Sequence, residues 1–152
     1  MLSPDYIVGL TDGEGSFCVF LRKPEKSTWN TRVECHFYIK MRDDELRLLE
    51  KVKNFFRCGR ISFQKEYREN QKNNYRYQVS NLNDLDNIII PFFRKQKLLS
   101  TPRKKDFNLF CQIVQMVRNQ EHKTARGLKK IQQLKAMMHQ WGSPYAGKPH
   151  VR

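Results

Sequence analysis

Two acidic residues, Asp12 and Glu14, lie close together near the N-terminus, each followed by a glycine. The preceding residues predict a short helix that ends here. Both carboxylates would then lie beside the free carbonyl groups at the electronegative end of the helix dipole. A divalent cation would relieve the resulting repulsion, so the pattern predicts an acidic site that attracts such an ion.

The helix that positions these acids has clear start signals. Ser3 can cap its free backbone N–H groups, Pro4 suits the first helical position, and Asp5 suits the positive end of the dipole. Gly9 and Gly13 lie four residues apart on one face, although each glycine destabilises a helix by about 1 kcal/mol. That cost indicates a packing purpose, the close approach of another helix.

The stretch from residue 7 to residue 15 reads IVGLTDGEG and resembles the signature nonapeptide of the LAGLIDADG homing endonucleases. The positions that match by identity are Gly9, Leu10, Asp12 and Gly15. The resemblance implies that the helix packs against its counterpart at a two-fold axis. The residues expected at this dimer interface are Val8, Gly9, Asp12 and Gly13.

The same resemblance places Glu14 on the metal-binding acid, with help from the backbone carbonyl of Gly13. Metals held by carboxylates can activate water and neutralise a phosphodiester, and Mg²⁺ is the cofactor that this implies. Asp12 is expected to cap or bridge the helix pair rather than to act in catalysis. In the family, a basic side chain just before the helix that follows the sheet lies near the scissile phosphate. Here both Arg103, by position, and Lys104, by residue type, are candidates.

Composition and charge favour a nucleic-acid partner. The chain has 152 residues, enough for one domain, and a net charge of +14 with a pI near 9.9. Residues 92–152 carry almost half of the basic side chains but only two acids, Asp106 and Glu121. We expect a single domain over residues 1–141, with a core at about 3–118, C-terminal helices at about 102–140 and a loose tail at 142–152.

The cysteine spacing and the lack of long apolar runs indicate the cellular compartment in which we expect the protein. The four cysteines, which are Cys18, Cys35, Cys58 and Cys111, show no CxxC spacing, and the N-terminus has no apolar signal region. A zinc site, a secreted disulfide framework and a membrane span are therefore not expected. The prediction is an intracellular, reducing location, in an organelle or in a bacterial or archaeal cytoplasm.

Hydrophobic periodicity predicts an α+β fold. Strands are expected from Ser16 to Arg22, Arg32 to Met41, Arg60 to Tyr67 and Tyr75 to Ser80, with a helix between the two pairs that Gly59 ends. A helix opening at Asn81 should be ended or kinked by Pro91, and further helices should begin at Thr101 and Thr124. This αββαββα order, with a four-stranded antiparallel sheet and extra C-terminal helices, is also the fold of the family. Since the motif occurs once, a second chain is expected to supply the other half of the site.

One face of this sheet is predicted to read base edges in the DNA major groove. The expected DNA-binding residues are Arg22, Arg32, His36, Tyr38, Lys40, Ser62, Gln64, Arg76 and Gln78. The function expected is a homodimeric endonuclease that makes a metal-dependent staggered break in a long, near-palindromic double-stranded DNA target, as a mobile intron's product. The alternative is a non-cleaving protein of the same fold, either an RNA maturase or a DNA-binding regulator.

Overall fold

The computed structural model describes residues 1–23 and 31–140. The predicted αββαββα order is present, and additional helices follow it. The elements are α1 (Pro4–Glu14), β1 (Gly15–Arg22), β2 (Arg32–Arg42), α2 (Leu46–Phe56), β3 (Arg60–Gln64), β4 (Asn74–Val79), α3 (Leu82–Asp84), a π-helical segment (Leu85–Ile89), α4 (Ile90–Gln96), α5 (Thr101–Arg118) and α6 (Ala125–Met137). One 3-10 turn precedes α2 (Asp43–Glu45) and another precedes α6 (Glu121–Lys123).

The four strands form one antiparallel sheet in the order β1-β2-β4-β3. Alternate residues bury one face against the helices, and Phe17, Phe37 and Tyr77 are fully buried there. The ring of Phe17 lies 5.2 Å from that of Phe37 and 5.2 Å from that of Phe107 on α5. Burial of a side chain of this size contributes about 1.5–3 kcal/mol, so this aromatic core fixes the helices on one side of the sheet. The opposite face is left to polar side chains.

Helix α1 begins as predicted, since Ser3 Oγ accepts the backbone N–H of Tyr6 at 3.2 Å. Ile7 and Thr11 are completely buried against the rest of the chain. The helix passes directly into β1 at Gly15, where a Cβ would lie 2.6 Å from Thr11 Cγ2. Glycine is therefore required for the close approach of helix end and strand start.

The ends of two other elements differ from the sequence-based predictions. Arg57, with φ of 58°, is the left-handed residue that caps α2, two residues before the predicted Gly59. Strand β3 ends at Gln64 and not at Tyr67, because the backbone N–H of Glu66 donates to Asn73 Oδ1 at 2.9 Å and so leaves the ladder.

Pro91 does not end its helix. Asn81 caps the start of α3 as predicted, through Asp84 N–H at 3.1 Å, and the helical path then continues to Gln96. The π-helical segment directly before α4 widens the turn that the proline, which has no N–H, would otherwise interrupt. Helices α5 and α6 begin as predicted, with Thr124 Oγ1 accepting the N–H of Gly127.

The predicted tail at residues 142–152 lies outside the described residues, and so do residues 24–30 between β1 and β2. No helix in the described part of the chain is long and apolar enough to cross a membrane.

Candidate nucleic-acid interface and active site

Glu14 is the last residue of α1, and its side chain is exposed. Among residues 1–23 and 31–140, no hydrogen bond or ion pair engages its carboxylate. Gly13 is also exposed, and its carbonyl belongs to the last helical turn, where carbonyls lack helical partners. Two oxygen ligands of the kind that Mg²⁺ prefers are therefore available at this helix end.

Asp12 has a structural role that joins α1 to α5. Its two carboxylate oxygens accept the backbone N–H groups of Leu99 at 3.0 Å and of Ser100 at 3.1 Å. Ser100 in turn caps α5 through the N–H of Arg103. The carboxylate thereby fixes the start of α5 beside the end of α1.

This connection distinguishes the two basic candidates. Arg103 Nε donates to the main-chain oxygen of Asp12 at 3.4 Å, two residues from Glu14 in the sequence. Lys104 is exposed and follows Arg103 on the same helix. The structure therefore brings Arg103 into direct contact with the acidic motif.

One face of α1 is open to solvent. Tyr6 is 46% exposed, and Gly9 and Gly13 follow it at helical spacing. A Cβ added at either glycine would meet nothing within 4 Å, so no contact within the described residues explains them. Val8, expected at the interface, is instead 6% exposed and packs in the core of its own chain. It lies on the buried side of the helix, away from the exposed Gly9 and Gly13.

The strand register puts all nine predicted DNA-binding residues on the polar face of the sheet. One row of paired residues crosses all four strands, from Ser16 through Tyr38 and Gln78 to Arg60. A second row runs from Lys40 through Arg76 to Ser62. The remaining members lie in neighbouring rows, which hold Arg22 opposite Arg32, His36 opposite Cys18, and Gln64 opposite Asn74.

An acidic residue that the prediction left out, Glu34, organises one end of this face. Its carboxylate binds Arg22 at 2.8 Å and Arg32 at 2.8 Å, and lies 3.6 Å from His36 Nε2. The hydrogen bond from Arg22 is the main reason that the pKa of Glu34 is lowered, so the carboxylate stays charged. Burial lowers the pKa of His36, which Glu34 opposes only in part.

The centre of the face is held by Tyr38 and Arg76. The guanidinium carbon of Arg76 lies 4.3 Å from the centre of the Tyr38 ring, a cation–π contact that limits the rotation of both side chains. Gln78 beside them is only 7% exposed, so it offers less to a groove than its strand position predicts. Arg60, its neighbour on β3, is exposed and was missed because it stands at the strand start.

The acidic helix end, the glycine face and the polar sheet together match the family predicted from the nonapeptide. The family model for LAGLIDADG endonucleases matches residues 7–114. The chain belongs to the LAGLIDADG endonuclease family. Its family fold therefore extends well beyond the nine residues of the signature.

Known LAGLIDADG proteins resemble the chain over most of its length. A probable intron-encoded endonuclease of Neurospora crassa is 37% identical over 144 residues, which are 93% of this chain and 30% of that protein. The I-SmaMI LAGLIDADG homing endonuclease bound to cleaved DNA is 34% identical with a TM-score of 0.81, covering 95% of this chain and 46% of that one. The homing endonuclease I-TnaI is 30% identical with a TM-score of 0.79, covering 93% of this chain and 90% of that one.

The relatives differ in length. The chain spans about a third of the length of the first curated relatives and about half of I-SmaMI, but nearly all of I-TnaI. I-SmaMI has also been solved on uncleaved DNA in the presence of calcium ions. Family membership covers the fold and the motif of this chain.

Proposed function

We propose that this LAGLIDADG chain acts as a homodimeric, site-specific DNA endonuclease that makes a metal-dependent staggered double-strand break in a long, near-palindromic target. The observation that carries the proposal is the position of Glu14. Within the described residues nothing engages its carboxylate, which lies at the exposed end of a glycine-faced helix, and a basic residue, Arg103, contacts the same turn. A purely structural helix end would not need an unpaired acid in that place.

The polar sheet face supports DNA as the substrate. Arginine and glutamine side chains read guanine and adenine edges, and the rows of paired residues put such side chains at regular intervals across four strands. The net charge of +14 supplies attraction to phosphates that does not depend on sequence. Base readout and phosphate attraction therefore come from different parts of the chain.

The residues at the helix end fit a divalent metal. Glu14 and the Gly13 carbonyl would hold it, and both supply oxygen, the ligand atom that Mg²⁺ prefers. The described residues contain no group of three or more His, Cys, Asp or Glu side chains that could hold a metal. Further metal ligands must therefore come from outside these residues. When bound, a divalent metal activates water and stabilises charge on phosphate oxygens. Arg103 would neutralise the phosphate from the protein side.

A second copy of the fold would complete the assembly. The glycines of α1 leave room for a helix to approach, and nothing in the described chain occupies that room. The motif occurs once in this sequence, which supports a second copy of the chain as the source of the other half of the site. Sedimentation of the purified chain distinguishes a dimer from a monomer.

A cleavage selection on a randomised double-stranded DNA library with magnesium tests the function. We expect one long preferred site, cut on both strands with a stagger, and no cutting when magnesium is omitted. Specific binding without cutting would contradict the proposal and favour the DNA-binding regulator. Binding of intron RNA without DNA cleavage would favour the maturase.

A further inference from the structure

A cysteine, a histidine and an aspartate from three separate elements meet at the edge of the polar sheet face. Cys18 Sγ, on β1, lies 3.8 Å from Nε2 of His139, which follows α6. His139 Nδ1 lies 3.1 Å from Oδ2 of Asp106 on α5. The cluster is separate from Glu14 and Arg103, and the nuclease chemistry does not use it.

The buried carboxylate of Asp106 fixes the histidine. Asp106 is completely buried, and its other oxygen accepts the backbone N–H of His139 at 2.9 Å. These contacts hold His139 in a left-handed conformation, with φ of 59°, which non-glycine residues seldom adopt. With Nδ1 beside the carboxylate, the ring places Nε2 next to the thiol.

This arrangement places a ring nitrogen that can accept a proton beside the Cys18 thiol. The proton can pass from Sγ to Nε2, and the Asp106 carboxylate stabilises the imidazolium that forms. Ser16 Oγ lies 3.2 Å from the sulfur, and the Cys18 thiol donates to Tyr38 Oη at 3.4 Å. Burial is the main cause of the raised pKa of Tyr38, which keeps its hydroxyl protonated.

The other three cysteines lack such an environment. Burial raises the pKa of Cys35 to about 12 and that of Cys111 to about 11. Burial also raises the pKa of Cys58, whose sulfur lies 4.0 Å from Tyr77 Oη. The chain therefore carries an internal comparison between one cysteine beside a histidine and an aspartate and three cysteines whose thiol pKa is raised by burial.

We propose that Cys18 is a site of reversible modification by a small-molecule disulfide. Its thiolate attacks one sulfur of the disulfide, a new S–S bond forms, and the other sulfur leaves as a thiolate that takes up the proton from His139. A second thiol reverses the exchange by the same route. No net oxidant beyond the disulfide itself is required.

The adduct would lie on the surface proposed to bind DNA. Cys18 is paired with His36 across the sheet and contacts Tyr38, two of the predicted DNA-binding residues. A glutathionyl group there adds bulk and negative charge, both of which oppose a duplex. This consequence rests on the proposed function, whereas the reactivity of the thiol does not.

The test treats the full chain with oxidised glutathione and measures the modification rate of each cysteine by peptide mass spectrometry. We expect Cys18 to react at least about tenfold faster than each of the other cysteines, because His139 can take up the proton of its thiol and burial raises the pKa of the other three thiols. His139→Gln should slow the modification of Cys18 about tenfold, and His122→Gln, the matched control, should not. Equal modification rates at Cys18 and Cys58 in the unaltered chain would overturn the proposed thiol site. An unchanged modification rate of Cys18 in a folded His139→Gln variant would overturn it as well.

A gel shift on the selected DNA target tests the consequence. The glutathionylated chain should lose binding and regain it after dithiothreitol, whereas Cys18→Ser should bind equally with and without the disulfide. Undiminished DNA binding by the glutathionylated chain would contradict the proposed loss of binding. If the unmodified chain binds no DNA, the proposed function is wrong, and the thiol site is then tested by the modification rates alone.

Discussion

The side chain of Asp12 accepts the backbone N–H of Ser100 at 3.1 Å, across 88 residues of sequence. Together with the bond to Leu99, it joins the end of the motif helix to the start of α5. Asp12→Ala should therefore destabilise the fold by about 1–2 kcal/mol, since two backbone donors lose their acceptor.

Asp12→Asn, which keeps one acceptor oxygen, should lose less stability than Asp12→Ala. Urea denaturation of both variants measures the difference, with Glu50→Ala as the control because Glu50 is an exposed acid in the middle of α2. Equal stability of Asp12→Ala and the unaltered chain would show that this connection does not hold the two helices.

Glu14→Gln keeps the shape of the side chain and removes its charge. If Glu14 is a metal ligand, the variant should lose cleavage by several orders of magnitude while still binding its target in calcium. A gel-shift titration and a single-turnover cleavage assay on the same preparation measure both. Asp5→Asn is the charge-matched control on the same helix and should cut normally. Near-normal cutting by Glu14→Gln would remove Glu14 from the mechanism, and joint loss of binding and cutting would make it structural.

Gly9→Leu tests the open face of α1. A side chain at Gly9 meets no atom of its own chain within 4 Å, so the monomer should fold normally. It should prevent the approach of a second helix and leave monomers that do not cut. Sedimentation velocity measures the assembly, with Lys51→Leu on the exposed face of α2 as a control for added hydrophobicity. A dimeric, active Gly9→Leu would refute the interface.

Arg76 and the lysines of α6 should differ in their effects on DNA. Arg76→Ala should relax preference at one or two positions of each half-site, at about 1–3 kcal/mol per lost base contact. Replacing the exposed Lys129 and Lys130 by alanine should weaken all sequences alike and flatten the salt dependence. Binding to a panel of altered sites at several salt concentrations separates these results. Equal, sequence-blind losses in both variants would contradict readout by the sheet.

His36 should respond to the loss of Glu34. Burial lowers the pKa of His36, and the nearby Glu34 carboxylate raises it. Glu34→Gln should therefore lower the pKa of His36 further, as measured by an NMR titration of the ring. Glu66→Gln, in the loop between β3 and β4, should not change that pKa. A rise in the His36 pKa would contradict the assignment of charges on this face.

The same shift determines how His36 affects stability. Its folded-state pKa lies below the value in the unfolded chain, so below about pH 6.5 the unfolded chain binds a proton that the folded chain resists. The contribution of His36 to stability is thus present above that pH and is lost as the pH falls towards the folded-state pKa.

Local sequence patterns predicted the parts of the site that depend on local structure. The helix of the motif follows from its cap and its proline, and the alternation of β2 defines which side chains share a face. Alternation shows on which face of the sheet a side chain lies, but not how much of that side chain is exposed. Gln78 was therefore predicted to be available to DNA, although it is only 7% exposed.

Long-range contacts were beyond such patterns. The bond from Ser100 to Asp12 and the contact between Cys18 and His139, 121 residues apart, depend on how helices pack on the sheet. The ion pairs of Glu34 depend on side-chain conformations at one end of that sheet. Glu34 is a single acid among many basic residues, and its position in the sequence does not indicate that it binds both Arg22 and Arg32.

The π-helical segment before Pro91 affects how relatives should be aligned with this chain. A residue advances an α-helix by about 100°, so Leu85 and Phe93, which are eight residues apart, would point about 80° away from each other in a regular helix. Both are fully buried, and the wide turn takes up one additional residue, which brings the two side chains closer to one direction. In a relative with a regular helix and no proline here, the residues equivalent to these two should be seven apart. A correct alignment would then carry a one-residue gap inside a continuous helix, where gaps are ordinarily penalised.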